Sequence, residues 1–204
     1  MCRQIRKMNS TKEPQKNKKR YKTKHIEVIG GYVGDKVQID IKYVPMKCLE
    51  ENEYNKKYYQ ITVIDEYSRK RVLLIVDEKS ITNRIKFLEN LEEKMGFEIN
   101  TVQTDNGSEF VNNSEETSKL TAFEEKLNEL NIKHKRTKPY LPWQNGKVER
   151  SHRTDGERFY NKVYKNIEKL IKSLKRYVAG DNSRAKKILG FKSPNQSESL
   201  FNKN

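Results

Sequence analysis

The sequence predicts a mixed α/β domain. A five-stranded sheet opens as an antiparallel meander, continues as β-α-β-α-β and is flanked by helices, the last of them long. Three observations predict it. Apolar and polar residues alternate through residues 37–43; two further β-rich runs follow after short links; and beyond residue 80 the apolar spacing switches between helical and extended periods.

Each element has its own signal. Up to Lys24 the chain is rich in Lys and Arg, with Glu13 as its one acid and no apolar period. Residues 1–33 therefore read as a basic arm, disordered or ordered only on a partner. Residues 34–180 read as the core and 181–204 as a tail. Val37, Ile39, Ile41 and Tyr43 alternate with Gln38, Asp40 and Lys42, a strand with one buried face. Asn52 to Lys57 reads as a hairpin loop. Tyr58 to Asp65 and Lys70 to Val76 are the next two strands, joined at Glu66-Tyr67-Ser68-Arg69. Ser80 caps an expected helix from Ile81 to Met95, with Ile81, Ile85, Leu88 and Met95 as its stripe and Gly96 as its stop. Ile99 to Thr104 is a strand running into Asp105-Asn106-Gly107. Leu120, Phe123, Leu127 and Leu130 mark a helix, and Ile132 to Thr137 the last strand. From Asn145 one long helix is expected, with Phe159, Val163, Ile167, Leu170 and Leu174 buried and Gly180 as its break. The tail is polar, with a small apolar knot at Ile188, Leu189 and Phe191.

Charge narrows the function. The 204 residues hold 43 Lys and Arg against 28 Asp and Glu, a net +15, so an anionic partner is expected: nucleic acid, anionic lipid or an acidic protein. No segment has the apolar length of a membrane span, and the N-terminus lacks a signal-peptide core. The expected setting is cytoplasmic and nucleoid-associated, without a membrane partner. Cys2 and Cys48, with His25, His134 and His152, are too few for a Cys/His zinc site, so any metal is a hard, oxygen-bound ion.

Three separated acids stand out. Asp40 sits mid-strand, where Asp is disfavoured, though alone it reads as a solvated carboxylate. Asp105 ends a strand in a common turn tripeptide, yet strand ends of open α/β sheets gather ligands. Glu149 opens a helix among Lys147, Arg150 and Arg153; basic residues oppose a helix N-terminus unless a phosphate backbone passes there. Together the three imply a site for two Mg²⁺ ions, because converging carboxylates repel unless cations neutralise them. Such a pair activates the attacking oxygen and stabilises the leaving oxygen of an in-line displacement.

Thr104-Asp105-Asn106-Gly107-Ser108-Glu109-Phe110, Lys133-His134-Lys135-Arg136-Thr137-Lys138-Pro139 and Pro142-Trp143-Gln144-Asn145-Gly146-Lys147-Val148-Glu149-Arg150-Ser151-His152-Arg153 closely resemble the integrase core of bacterial insertion-sequence transposases, shared with retroviral integrases. Ile64 to Arg69 resembles that family's second-strand signature, and Ile188 to Pro194 its C-terminal motif. The resemblance runs from about Gly34 to Pro194. It implies a ribonuclease H-like fold and a DDE triad of Asp40, Asp105 and Glu149. It also implies Mg²⁺ or Mn²⁺ as cofactor, with strand cleavage and transfer on element ends by a homo-oligomer on DNA. Where the family commonly has an aromatic before the first acid, this chain has Gln38 and Ile39. Relatives usually carry N-terminal helix-turn-helix modules, so a separately encoded subunit of that kind is an expected partner.

Expected DNA contacts are Lys133, Lys135, Arg136 and Lys138 before the Glu149 helix, Asn145, Lys147, Arg150 and Arg153 on or beside it, and Tyr140 and Trp143 as stacking platforms. Each also has a plain reading as a solvated or loop-packing residue. His152 reads as a packed or phosphate-facing residue. The rival functions are a truncated, non-catalytic DNA-binding relative and a ribonuclease H-like nuclease.

Overall fold

A computed structural model describes residues 31–51, 56–77, 80–107, 110–111, 120–138 and 141–201. Nearly all of the expected basic arm and most of the expected 52–57 hairpin loop lie outside these residues. Among them, β1 (Val37–Tyr43), β2 (Tyr59–Asp65), β3 (Arg71–Val76), β4 (Thr101–Thr104) and β5 (Lys133–Arg136) form one sheet in the order β3-β2-β1-β4-β5. The first three strands pair antiparallel, while β1–β4 and β4–β5 pair parallel. This is the expected meander followed by two crossovers.

Local chemistry sets the turns. Asp65, wholly buried, accepts hydrogen bonds from the Ser68 backbone (2.6 Å), the Ser68 hydroxyl (2.7 Å) and the Gly34 backbone (3.1 Å). Arg69 follows in the left-handed region at φ 62°. The Ile64–Arg69 signature is therefore a turn lock, which also ties the start of β1 to the end of β2. Gly34 (φ 83°) runs so close to the next segment that a Cβ would lie 2.0 Å from the Glu98 carbonyl oxygen.

The helix expected from Ile81 to Met95 is two helices. The Ser80 hydroxyl caps α1 (Ile81–Glu89) by accepting from the Asn83 N–H. At Asn90 the side-chain amide donates to the Lys86 carbonyl (2.8 Å), and α2 (Leu91–Met95) restarts until Gly96 ends it in the left-handed conformation. An Asn that competes for backbone partners is a weak helix former, and the break points Leu91 and Met95 inward beside Phe87 and Leu88. α3 (Ala122–Glu129) opens with a capping box between Thr121 and Glu124, leaving Leu120 outside the helix and half exposed.

The second correction concerns the C-terminal helix, which is α4 (Gly146–Arg158) and α5 (Ile167–Asn182). Asn166 restarts the chain as an N-cap, accepting from the Lys169 N–H (3.1 Å). In the intervening turn the rings of Phe159 and Tyr164 stack 5.0 Å apart, while Val163 is exposed. Gly180 lies inside α5 and does not break it. The tail also differs from expectation: Ile188 and Phe191 are 64% and 72% exposed, so they form no buried knot. Backbone hydrogen bonds from the Lys186 N–H to the Lys192 carbonyl and from the Phe191 N–H to the Lys186 carbonyl hold that segment, before α6 (Pro194–Phe201). No described helix is long and apolar enough to cross a membrane.

The two sheet faces differ in kind. Val37, Ile39, Ile61, Val63 and Val102 face α1, α2 and α3 in a dry core with Phe87, Leu91, Phe123 and Leu127. The opposite face carries Gln38, Gln60, Thr62 and Gln103, all buried beneath α4 and its approach. Farther along that face, Leu73 and Ile75 pack with Phe159, Leu170 and Leu174. Buried polar groups need partners, and most on this face have them, Asn145 Oδ1, Glu66 Oε2 and Arg71 Nη2 being buried without a hydrogen bond. Asp155, on the inner side of α4, accepts from Arg71 Nη1 (2.9 Å), Gln60 Nε2 (3.1 Å) and the Tyr177 hydroxyl (3.1 Å). Asn182 pairs with both backbone groups of Arg71 (3.0 and 2.8 Å), closing the end of the edge strand. Arg71→Leu would leave Asp155 charged in a dry site and is expected to cost about 3–5 kcal/mol in urea unfolding. The double variant Arg71→Leu/Asp155→Leu should recover much of that loss; additive losses would refute the coupling.

Candidate active site

Strand register brings two of the three acids together. In the β1–β4 pair Val37 stands beside Val102 and Gln38 beside Gln103. Carrying that register forward sets Asp40 beside Asp105, on the face shared by Gln38 and Gln103.

The third acid arrives on α4, and Gln38 determines where. Asn145 precedes α4 but makes no side-chain cap. Instead, Gln38 Oε1 accepts from the backbone N–H groups of Lys147 and Val148 (both 3.1 Å), two donors that the helix cannot satisfy itself. Its Nε2 donates to the Gln144 carbonyl (2.9 Å) and to Glu66 Oε1 (2.6 Å). Gln103 Nε2 donates to the same Gln144 carbonyl (2.7 Å). Two strand glutamines thus hold the entry and first turn of α4, the turn that carries Glu149. Glu66 is itself buried, and its second oxygen lies 3.1 Å from Lys36 Nζ and 3.4 Å from Lys147 Nζ.

Glu149 feels both other acids. Partial burial pushes its carboxyl above the ordinary range, and repulsion from Asp40 and then Asp105 pushes it further, with His152 offsetting part. Asp40 Oδ1 accepts from the Ile41 N–H (2.8 Å), while Oδ2 lies 3.3 Å from His152 Nδ1. His152 Nε2 is 2.9 Å from the Thr62 hydroxyl, which accepts from Gln60 Nε2 at 2.7 Å. Asp105 Oδ1 accepts from the Gly107 N–H (3.0 Å), the turn expected of Asp-Asn-Gly. As placed, no three His, Cys, Asp or Glu side chains among the described residues surround a single point at metal-ligand spacing. Beneath α4, Lys42 donates to the His152 carbonyl (3.0 Å), and burial pushes its ammonium down to about 8.

The basic residues separate by face. Lys133 and Lys135 are exposed on the Asp105 side of the sheet, since Lys135 pairs with Gln103; Arg136 is exposed on the other side. Lys138 is exposed, and its N–H donates to Gln144 Oε1 (2.8 Å). Trp143 is 52% exposed, Asn145 is buried, and Tyr140 lies outside the described residues. Lys147 is turned toward Glu66, Arg150 is exposed, and Arg153 is exposed and paired with Glu157 (3.0 Å). Sequence reading missed Gln38, Gln103, Glu66 and Thr62. The available signal was a Gln at the second position of both β1 and β2 and another inside β4.

Two outcomes follow from this geometry. Gln38→Leu removes the acceptor for two helix N–H groups and is expected to cost about 2–4 kcal/mol. Faster hydrogen exchange at Lys147 and Val148 checks it; unchanged exchange would refute the clamp. Glu149 has a raised folded carboxyl, so it binds its proton more tightly folded than unfolded, and its contribution to stability falls as pH rises through that window. Glu149→Gln should therefore melt at or above wild type at neutral pH, with the difference vanishing in acid where both side chains are neutral.

Comparison with known proteins agrees. The family model described as Integrase core domain matches residues 33–142, and a second of the same description matches 130–185. The ORF3 protein of Spiroplasma virus SpV1-C74, named as an inferred integrase, is 32% identical over 202 residues, covering 91% of this chain. The chain spans about half (51%) of that relative's length. Among solved structures, a chain of the simian T-cell lymphotropic virus intasome with PP2A regulatory subunit B56 gamma superposes at TM-score 0.60, with 18% identity over 83% of this chain and 56% of that one. The HTLV-2 integrase catalytic core domain in complex with magnesium superposes at 0.57, with 16% identity over 83% and 99%. These likenesses are of fold, a ribonuclease H-like mixed sheet flanked by helices. With family matches running from residue 33 to 185, across both acid-bearing strands and α4, the chain belongs to the integrase core domain family.

Proposed function

We propose that this chain is the catalytic core of a DDE transposase or integrase, cleaving DNA strands and joining them with Mg²⁺ or Mn²⁺ in DNA transposition or integration. The observation that carries this reading is geometric: strand register sets Asp40 beside Asp105, and Gln38 and Gln103 hold the entry and first turn of α4, which bears Glu149, against the same face. Three mutually repelling carboxylates are a donor set that a divalent cation stabilises, and their hard oxygens suit Mg²⁺ or Mn²⁺. The set fits in chemistry. The partly exposed Asp40 and the exposed Glu149 leave room for side-chain rotation toward an ion.

Asp40, Asp105 and Glu149 would hold the metal. When bound, it supplies charge neutralisation at the phosphate and acidifies the attacking water or 3′-hydroxyl. The chain's own residues do the remaining work. Gln38 and Gln103 fix the helix turn from which Glu149 reaches the site. His152, with Nδ1 3.3 Å from Asp40 Oδ2 and Nε2 2.9 Å from the Thr62 hydroxyl, stands where it steadies Asp40. Lys133, Lys135, Lys138 and Arg153 meet backbone phosphates, and Trp143 offers its ring to a frayed base. The working form is a homo-oligomer on DNA, in keeping with the intasome that contains the similar simian virus chain. It acts on nucleoid DNA in the cytoplasm.

Asp105→Asn is expected to bind DNA as wild type does while losing cleavage and joining on labelled duplex. Mg²⁺ or Mn²⁺ should raise the melting temperature of wild type but not of this variant. Retained turnover in Asp105→Asn would place the chemistry elsewhere, and hydrolysed ends without a joined product would make the enzyme a nuclease.

A further inference from the structure

α4 has a second functional flank. Val148, Ser151 and Asp155 form its buried stripe. Glu149 and His152 lie to one side of that stripe. Lys147, Arg150 and Thr154, three and four residues apart, lie to the other. There they border a cleft of about 230 Å³, closed by Arg69 from the β2–β3 turn, Arg71 at the start of β3, and Asp181, Lys186 and Ile188 from the end of α5 and the tail. Five cationic side chains line it against one carboxylate.

The acids behind the wall do not cancel this charge. Asp155 (2.9 Å) and Asp181 (3.0 Å) flank Arg71, Asp181 also meets Lys186 (2.9 Å), and Glu66 is shared between Lys36 and Lys147, so three acids face four cations before Arg69 and Arg150 are added. Arg71 is 2% exposed, and its Nη2 lies 3.0 Å from Asp181 Oδ2 without making a hydrogen bond. Burial lowers the Lys186 ammonium from its ordinary range, and Arg71 and Arg184 lower it further, although Asp181 opposes them. A cleft holding closely spaced cations favours an anion, and guanidinium forks suit phosphate oxygens. Ile64 in the wall and Ile188 at the rim add apolar surface of the kind a sugar can cover.

We infer that this cleft binds a backbone phosphate of a nucleic-acid strand, giving α4 a phosphate site on the flank opposite its catalytic carboxylate. The inference deepens the reading of the chain as a DNA strand-transfer enzyme and rests on it for the identity of the polyanion. A strand lying across the first turns of α4 would then be gripped in the cleft and presented to the acids on the other side.

The test measures binding of the full chain to a short labelled DNA duplex in EDTA, where no turnover occurs. Lys186→Gln and Thr154→Glu are each expected to weaken binding about three- to tenfold and to flatten the salt dependence by about one counterion. A photo-crosslinking residue in place of the exposed Ile188 should capture DNA, and inorganic pyrophosphate should compete for that capture. Lys186→Arg should restore the affinity that Lys186→Gln loses. Circular dichroism and melting establish that each variant is folded. Should Thr154→Glu fail to fold, the Lys186 pair and the crosslink decide the matter. Wild-type affinity and salt slope in folded Lys186→Gln, with no crosslink at residue 188, would overturn the inference. Pyrophosphate binding at the cleft without DNA capture would overturn it too, leaving a small-phosphate site. Failure of the catalytic reading looks different: the cleft variants still lose affinity, but no metal-dependent cleavage appears in wild type.

Discussion

One side-chain amide organises the acid-bearing half of this protein. Gln38 uses both N–H groups and both acceptor positions, joining β1 to Glu66, to the Gln144 carbonyl and to the first free N–H groups of α4. A helix start normally relies on its own N-cap residue. Here the cap comes from a residue more than a hundred positions earlier, two places before the first acid. The same residue that sets the register of Asp40 therefore sets the axial position of Glu149. Gln103, two places before Asp105, repeats the device on the neighbouring strand. Each acid-bearing strand thus grips the helix that brings the third acid.

Around this clamp the molecule divides into a dry apolar face and a polar face beside which the three acids lie. The dry face buries apolar strands and three helices in the ordinary way. The polar face is covered just as thoroughly, but its contents are amides, hydroxyls and an ion-pair chain from Asp155 through Arg71 to Asp181. Such a layer adds little net stability, because desolvation offsets most of what its bonds contribute. It does supply uniqueness of position, since a displaced α4 would strand several buried polar groups at once.

Much of the fold was legible because it depends on local periodicity. The alternation in β1, the Ser80 cap and the Gly96 stop are near-neighbour effects, and they appear where the sequence placed them. The errors share a cause. Asn90 and Asn166 end or restart helices by hydrogen bonds of their own, which an apolar stripe running through them conceals. Ile188 and Phe191 looked like a core because they are apolar, yet the tail's backbone pairing leaves them outside. Polar positions in the strands suggested solvent, whereas Gln38, Gln60 and Gln103 are buried. Alternation reveals that a strand has two faces and is silent on what covers the second.

The chain alone determined its element order, its positive charge and the identity of the three acids that stand out from their contexts, since each is written in residues close together in sequence. Only the tertiary structure decided that Asp40 and Asp105 share one face of adjacent parallel strands, and that α4 docks with Glu149 on one flank and a cationic cleft on the other. Those facts rest on hydrogen bonds between residues some forty to one hundred and ten positions apart, such as Gln103 to Gln144 and Gln38 to Val148. No local pattern encodes such bonds, because an amide's partners exist only once the chain has closed around it.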